Sequence, residues 1–348
     1  MKKPLEFDSF GEVSIKGFHW GHEQINPRGI LVIAHGMAEY IDRYEALARF
    51  MTGKGIFVYG HSHRGHGQTA GSIDALGDLG ENGWIKTRED LRQTVLTAHR
   101  EYPGLPVFLL GHSMGSFLVR DLIETLEVTR YHRSTRGKRF SGIPDEINIC
   151  GAVLSGTGYP DPWTLRLGKW IASLEMKVRG PLYPSKRLYQ MSFGKYNKRI
   201  PEPQSFFDWL SRDREQVKKY ESDPYCGTVH SCRFYRDFAH HLQRILYRDE
   251  RGRSQHVHQK PGNRQNWLEL SLLLVSGEED PVGKYGEEVR KTWEVYRKRG
   301  YETKLKLYPG ARHELLNELN RMEVYSDIFL WLDNKIRQKE ADQIQDKS

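Results

Sequence analysis

Six short runs rich in Val, Ile, Leu and Phe recur along the chain, at residues 29–34, 55–59, 106–110, 149–155, 268–275 and 302–308. Each is followed by glycine or a polar turn. Their hydrophobicity is continuous instead of alternating, which describes strands covered on both faces, as in a parallel sheet between layers of helices. Stretches with apolar residues at three-to-four spacing lie between most of them, at 40–54, 87–101, 113–128, 283–300 and 317–335. Strand and helix in alternation predict a doubly wound α/β sheet. Residues 5–20 read instead as an antiparallel hairpin that starts the sheet.

The alternation breaks between about 158 and 266, a stretch with Pro160, Pro162, Pro181, Pro184, Pro201, Pro203 and Pro224, many aromatics and little strand pattern. Asp161-Pro162 reads as a helix cap followed by a first-turn proline. In the helix that follows, Trp163, Leu167, Trp170, Ile171 and Leu174 fall on one face, with Arg166, Lys169 and Lys177 elsewhere. A second helix is expected to carry Phe206, Phe207, Trp209 and Leu210. The expected organisation is a discontinuous α/β core (1–157 and 267–340), an inserted helical cap (158–266) and a frayed tail (341–348).

Composition narrows the setting. At 348 residues the length suits one α/β core with an insertion, and no apolar stretch approaches a bilayer span. The start, Met1-Lys2-Lys3-Pro4, is positive, but Leu5-Glu6-Phe7-Asp8 interrupts the apolar region that a signal peptide needs. Three cysteines give no disulfide framework, which points to a reducing cytoplasm. The net charge of +8 gathers partly in two clusters: Arg130, Arg133, Arg136, Lys138 and Arg139, then Arg248, Arg251, Arg253, Lys260 and Arg264. Solvated loops are the plain reading of such runs. The sharper one is transient, peripheral contact with an anionic membrane surface. Regularly interleaved aromatics that would stack bases are missing, so nucleic acid is not an expected partner. Oligomeric state is not legible.

The chemistry sits where the strands end. Phe108-Leu109-Leu110 runs into Gly111-His112-Ser113-Met114-Gly115, a G-x-S-x-G directly after a buried strand. Glycines at both flanks permit a turn so tight that it pushes the serine hydroxyl out above the sheet. A serine needs a histidine to take its proton and an acid to fix that histidine's tautomer. Reacting groups in open α/β sheets gather at the carboxyl ends of the strands. Two late strands end suitably, one in Ser276-Gly277-Glu278-Glu279-Asp280-Pro281, the other in Pro309-Gly310-Ala311-Arg312-His313. Asp280 is preferred over Glu278 and Glu279 because Asp-Pro-Val places it just before the next helix. His313 competes with His112, His61, His63 and His66, which read better as packed or structural residues. The order Ser113, Asp280, His313 is the order of an α/β-hydrolase triad. Backbone N–H donors for an oxyanion are expected from Met114, after the serine, and from Met37, in the loop His35-Gly36-Met37 after the first core strand.

Several motifs now make the resemblance specific: Leu31-Val-Ile-Ala-His-Gly-Met37, His63-Arg64-Gly65-His66-Gly67, the elbow at 111–115, and the Asp280 and His313 loops. So do Gly80-Glu-Asn-Gly-Trp84, Asp208-Trp-Leu-Ser-Arg-Asp213 and Asp223-Pro-Tyr-Cys-Gly227. Together they resemble the monoacylglycerol lipase and lysophospholipase branch of the α/β-hydrolases, in its bacterial form, over nearly the whole chain. Departures are the basic segments near 130–145 and 247–265, and Ser62, where family members commonly carry aspartate.

The resemblance implies a cofactor-free serine hydrolase with Ser113 as nucleophile, His313 as base, Asp280 as orienting acid, and Met37 and Met114 as oxyanion donors. It implies a small lipid-like ester as substrate, monoacylglycerol or lysophospholipid, with the cap forming the acyl pocket. Trp163, Leu167, Trp170 and Ile171 are the residues expected to line it, against the plainer reading of cap packing. A serine aminopeptidase of the proline-releasing type is the alternative, and a non-catalytic binding protein a weaker one. Cys226, His230, Cys232, His240 and His241 match no standard zinc spacing, and no metal is expected.

Overall fold

A computed structural model describes residues 1–136, 149–251 and 270–345. Its eight strands form a single sheet: β1 (Lys2–Ser9), β2 (Val13–Trp20), β3 (Gly29–Ala34), β4 (Ile56–His61), β5 (Val107–His112), β6 (Ile149–Ser155), β7 (Ser271–Gly277) and β8 (Glu302–Tyr308). The order across it is β1-β2-β4-β3-β5-β6-β7-β8. β1 and β2 are an antiparallel hairpin and β2 meets β4 antiparallel; every other pairing is parallel.

The unbroken hydrophobicity of the central strands has a direct cause. Along β3, Ile30, Val32 and Ala34 enter one core while Leu31 and Ile33 enter the other; β5 divides likewise, with Val107 and Leu109 against Phe108 and Leu110. The second core is closed by α1 (Glu45–Thr52) and α9 (Arg321–Gln345), through Leu47, Met51, Ile328 and Leu332. The first is closed by α2 (Gly83–Glu101), α3 (Met114–Arg136) and α8 (Glu287–Lys298), through Leu91, Val95, Leu118, Leu122 and Val289. Each helix buries one apolar stripe, as its periodicity requires.

Between β6 and β7 the described residues hold α4 (Pro162–Arg179), α5 (Lys186–Phe193), α6 (Arg214–Ser222) and α7 (Cys232–Arg251). This is the helical cap of an α/β-hydrolase. Asp161 caps α4, its carboxylate accepting from Thr164 N–H at 2.8 Å, with Pro162 in the first turn. α7 lies along α4 and rests on α2 and α3, so the cap's apolar residues Leu165, Leu188, Phe234 and Leu242 continue the first core.

One expectation is corrected. Phe206, Phe207, Trp209 and Leu210 form no full helix: only a 3₁₀ turn, Asp208–Leu210, is present. Pro201 and Pro203 precede it, and Asn197 accepts from Trp209 N–H at 2.9 Å, a side-chain bond that replaces a helical one. α9 continues to Gln345 through a sequence after Arg337 that is rich in Gln, Lys, Glu and Ala and free of Gly and Pro, and the last part of the expected frayed tail, 346–348, lies outside the described residues. Among the described residues, no helix is long and apolar enough to cross a membrane.

Candidate active site

β5 ends at His112, Ser113 turns the chain at φ +50°, and α3 begins at Met114. The flanking glycines are steric necessities. A Cβ on Gly111 would lie 2.4 Å from Gly115 O, and one on Gly115 would lie 2.1 Å from Ala34 O. The elbow therefore presses against the end of β3, which brings the loop His35-Gly36-Met37 beside the serine. Ser113 N–H donates to Ser155 O at 2.8 Å, fastening the elbow to β6 as well.

Asp280 and His313 come together from the ends of β7 and β8. His313 Nδ1 donates to Asp280 Oδ2 at 2.9 Å, and both side chains are buried. Ser276 Oγ (3.2 Å) and Val282 N–H (2.8 Å) also donate to the Asp280 carboxylate. Burial opposes its charge, but the His313 imidazole and these donors hold its carboxyl below the ordinary 3.8. Burial, the largest influence, would lower His313; the Asp280 charge and hydrogen bond, with Glu314 and Glu39, together raise it above the ordinary 6.5. The two loops fit because of Gly277, where a Cβ would lie 2.0 Å from Ala311 O. Gly156, at φ +58° after β6, leaves room for the imidazole: a Cβ there would sit 2.8 Å from His313 Cε1.

Ser113, His313, Met37 and Trp209 border one small chamber. Beside it opens a cavity of about 300 Å³ that Ser113, Met37 and Met114 share with Phe117, Leu165, Leu188, Phe238 and Leu242. The site thus has a polar end at the serine and a long apolar wall from the cap.

The competing histidines His112, His61 and His66 have other partners. His112 approaches Ser155 Oγ at 3.3 Å with its ring 4.8 Å from that of His313. Burial first, and the neighbouring imidazole second, push it down to about 3. His61 meets Thr94 Oγ1 at 2.8 Å, and burial lowers both it and His66 to about 4.

The acyl-pocket expectation is corrected. Trp163, Leu167 and Trp170 are 73%, 54% and 62% exposed, and Ile171 is packed in the cap core. α4 carries two apolar stripes; the smaller one, with Leu165 beside Thr164 and Gly168, faces the cavity. The larger and more conspicuous stripe faces outward. Of the two basic clusters, Arg248 pairs with Asp121 at 2.6 Å, and the side chains of the rest lie outside those described. The five cap Cys and His residues do not converge: His241 stacks on Trp84, His240 meets Lys169, and His230 meets His66.

Sequence reasoning missed a buried ion cluster beneath the site. Glu39 Oε1 accepts from Gly36 N–H (2.6 Å) and Tyr44 OH (2.7 Å), and its Oε2 from Arg43 (2.8 Å). Arg43 continues as a fork to both oxygens of Glu314, at 2.5 and 2.7 Å. Burial opposes the Glu314 charge, yet Arg43 brings its carboxyl down to about 2. The cluster joins the loop before Met37 to the residue after His313. Its only signal in the sequence was the spacing of Glu39 and Arg43, four apart.

The sheet order, the elbow and the strand-end loops define an α/β-hydrolase. The chain belongs to the Hydrolase_4 family, described as serine aminopeptidase, S33, whose pattern matches residues 25–320. Its curated relatives include monoacylglycerol lipases. It is 29% identical over 312 residues to a monoacylglycerol lipase of Mycolicibacterium smegmatis, covering 88% of this chain and 89% of that one. It is 28% identical over 318 residues to the Homo sapiens monoglyceride lipase, covering 89% and 84%. A thermostable carboxyl esterase from Bacillus coagulans, solved with glycerol, superposes with TM-score 0.76 at 26% identity, covering 96% of this chain and 99% of that one.

Proposed function

We propose that the protein hydrolyses carboxylic esters of fatty acids with a small polar alcohol, monoacylglycerol or lysophospholipid, through an acyl-enzyme on Ser113. The observation that carries this reading is the junction of Ser113 and the Asp280-held His313 with an apolar cavity of about 300 Å³. Ser113 Oγ attacks the ester carbonyl as His313 Nε2 takes its proton. The oxyanion is received by the Met37 and Met114 N–H groups, the second also at the positive end of α3. His313 then gives the proton to the departing alcohol. Water, deprotonated by the same imidazole, releases the fatty acid and restores Ser113.

Nitrophenyl esters of rising acyl length provide the test, followed by monoacylglycerol against lysophosphatidylcholine. kcat/KM is expected to climb from acetyl to decanoyl by roughly tenfold or more, since each buried CH₂ contributes about 0.8 kcal/mol. A profile that peaks at acetyl contradicts an acyl-binding role for the cavity.

The family description gives the aminopeptidase reading a specific footing. An amine substrate would need a carboxylate at the site, and those bordering the two chambers are already engaged. Glu39 and Glu314 hold Arg43, while Glu288 accepts from Tyr159 N–H at 3.0 Å and Lys284 at 2.8 Å. Proline naphthylamide turned over faster than a decanoyl ester would favour the peptidase.

The outward stripe of α4, Trp163, Leu167, Trp170, Leu174 and Val178 with Arg166, Lys177 and Arg179 beside it, has the pattern of an interfacial helix. It supports docking of the cap at an anionic lipid surface. A Trp163→Ser/Trp170→Ser double variant is expected to lose at least about tenfold in partition to phosphatidylglycerol vesicles while hydrolysing a soluble ester normally. Undiminished partition would contradict the docking.

A further inference from the structure

We propose that His35 is a positioning residue of the oxyanion hole: its imidazole, held as the neutral Nδ1–H tautomer, fixes the plane of the Gly36–Met37 peptide and so aims the Met37 N–H. The inference rests on the reading of Ser113 as nucleophile.

The hydrogen bonds define the tautomer. His35 Nδ1 lies 2.7 Å from Gly36 O, and a carbonyl oxygen only accepts, so Nδ1 carries the proton. His63 N–H donates to His35 Nε2 at 2.8 Å, and an amide N–H only donates, so Nε2 carries the lone pair. One ring nitrogen of each kind is thereby required. His63 Nε2 returns a hydrogen bond to His35 O at 3.2 Å, and the two rings stack at 3.9 Å between centroids. His35 is fully buried. Burial first, then the neighbouring His66, disfavours a second proton on it.

The consequence for Met37 is geometric. The chain has no cis peptide among its described residues. In a planar trans peptide the C=O of one residue and the N–H of the next point in opposite directions. Drawing the Gly36 carbonyl toward the His35 ring therefore turns the Met37 N–H the other way. The preceding peptide is held separately, because Gly36 N–H donates to Glu39 Oε1 at 2.6 Å. Gly36 permits this double restraint: a Cβ there would lie 2.7 Å from Glu39 Oε1 and 3.4 Å from Ser113 Cβ. Both peptides around Gly36 are thus fixed before substrate arrives, the condition under which an oxyanion donor is most effective.

Three variants of the full chain separate donation from bulk. In His35→Asn the amide nitrogen stands near the place of Nδ1 and can donate to Gly36 O. In His35→Gln the amide reaches the Nε2 side, and in His35→Leu neither bond is made. Loss of one oxyanion donor costs about 10²–10³ in kcat, so His35→Leu and His35→Gln are expected to fall toward that range with KM within about threefold. His35→Asn is expected to retain kcat within about tenfold of the parent. Inhibition by a long-chain trifluoromethyl ketone, whose hemiketal oxygen occupies the oxyanion position, should weaken in parallel with kcat/KM. Circular dichroism melts identify which variants fold; if His35→Leu does not, the Asn and Gln pair carries the comparison.

Equal losses in the folded Asn and Gln variants, or ketone inhibition undiminished where kcat falls, would overturn the role. Ser113→Ala run alongside keeps the two readings apart. An active Ser113→Ala removes the nucleophile assignment itself. An inactive Ser113→Ala with unaffected His35 variants removes only the part given to His35.

Discussion

Ser113→Ala is expected to lower kcat/KM for a decanoyl ester by on the order of 10⁵–10⁶, with the melting temperature little changed. The size follows from the proposed role. On that reading no acyl-enzyme forms without the hydroxyl, and only binding and the proposed oxyanion donors remain to assist direct attack by water. The small effect on stability follows from the elbow. Its shape is set by close contacts at Gly111 and Gly115 and by the Ser113 N–H to Ser155 O bond, all of which survive the substitution. Alanine at φ +50° is strained, but so is serine there. Stopped assays with a thermal melt on the same preparation check both parts. A loss of activity explained by unfolding would remove the support.

Asp280→Asn is expected to cost about 10⁴ in kcat while the protein stays folded. The amide group can donate toward His313 Nδ1, which places the imidazole proton on Nε2 and takes away the lone pair that Ser113 needs. The same substitution predicts a change in pH dependence whose sign is fixed. The proposed mechanism needs neutral His313, so it predicts that activity rises with pH through its pKa. In the parent, the Asp280 charge and hydrogen bond, together with Glu314 and Glu39, overcome burial and keep that pKa above 6.5, placing the acid limb of kcat/KM above 6.5. With the carboxylate gone, burial works with less opposition and the residual activity should show a limb at lower pH. A limb that stays in place would mean that His313 is not the group titrating.

Much of the candidate site's geometry was legible in the sequence because its rules are local. An apolar run that stops at Gly111-His112-Ser113-Met114-Gly115 describes one strand, one turn and one helix start, and β5 and α3 meet there. Asp280 and His313 were found because a doubly wound sheet gathers its strand ends, and their hydrogen bond spans 33 residues of sequence. The cap was less legible for a physical reason. α4 carries two apolar stripes, and periodicity says that a stripe exists without saying which one is covered. Trp163 and Trp170 dominate the pattern, yet Leu165 and the small Gly168 face the cavity. The Glu39, Arg43 and Glu314 cluster was missed for the opposite reason. Charged residues read as surface, and only the fold reveals that Arg43 pairs with both carboxylates beneath the site. His35 stood in the sequence merely as the residue before Gly36; its bonds to Gly36 O and His63 N–H belong to tertiary structure.

Covalent labelling tests the nucleophile most directly. The intact protein, treated with a long-chain fluorophosphonate and digested, is expected to carry the adduct on the peptide containing Ser113, with loss of activity in proportion to labelling. Labelling on another residue, or equal labelling of Ser113→Ala, would contradict the assignment of Ser113 and the mechanism built on it.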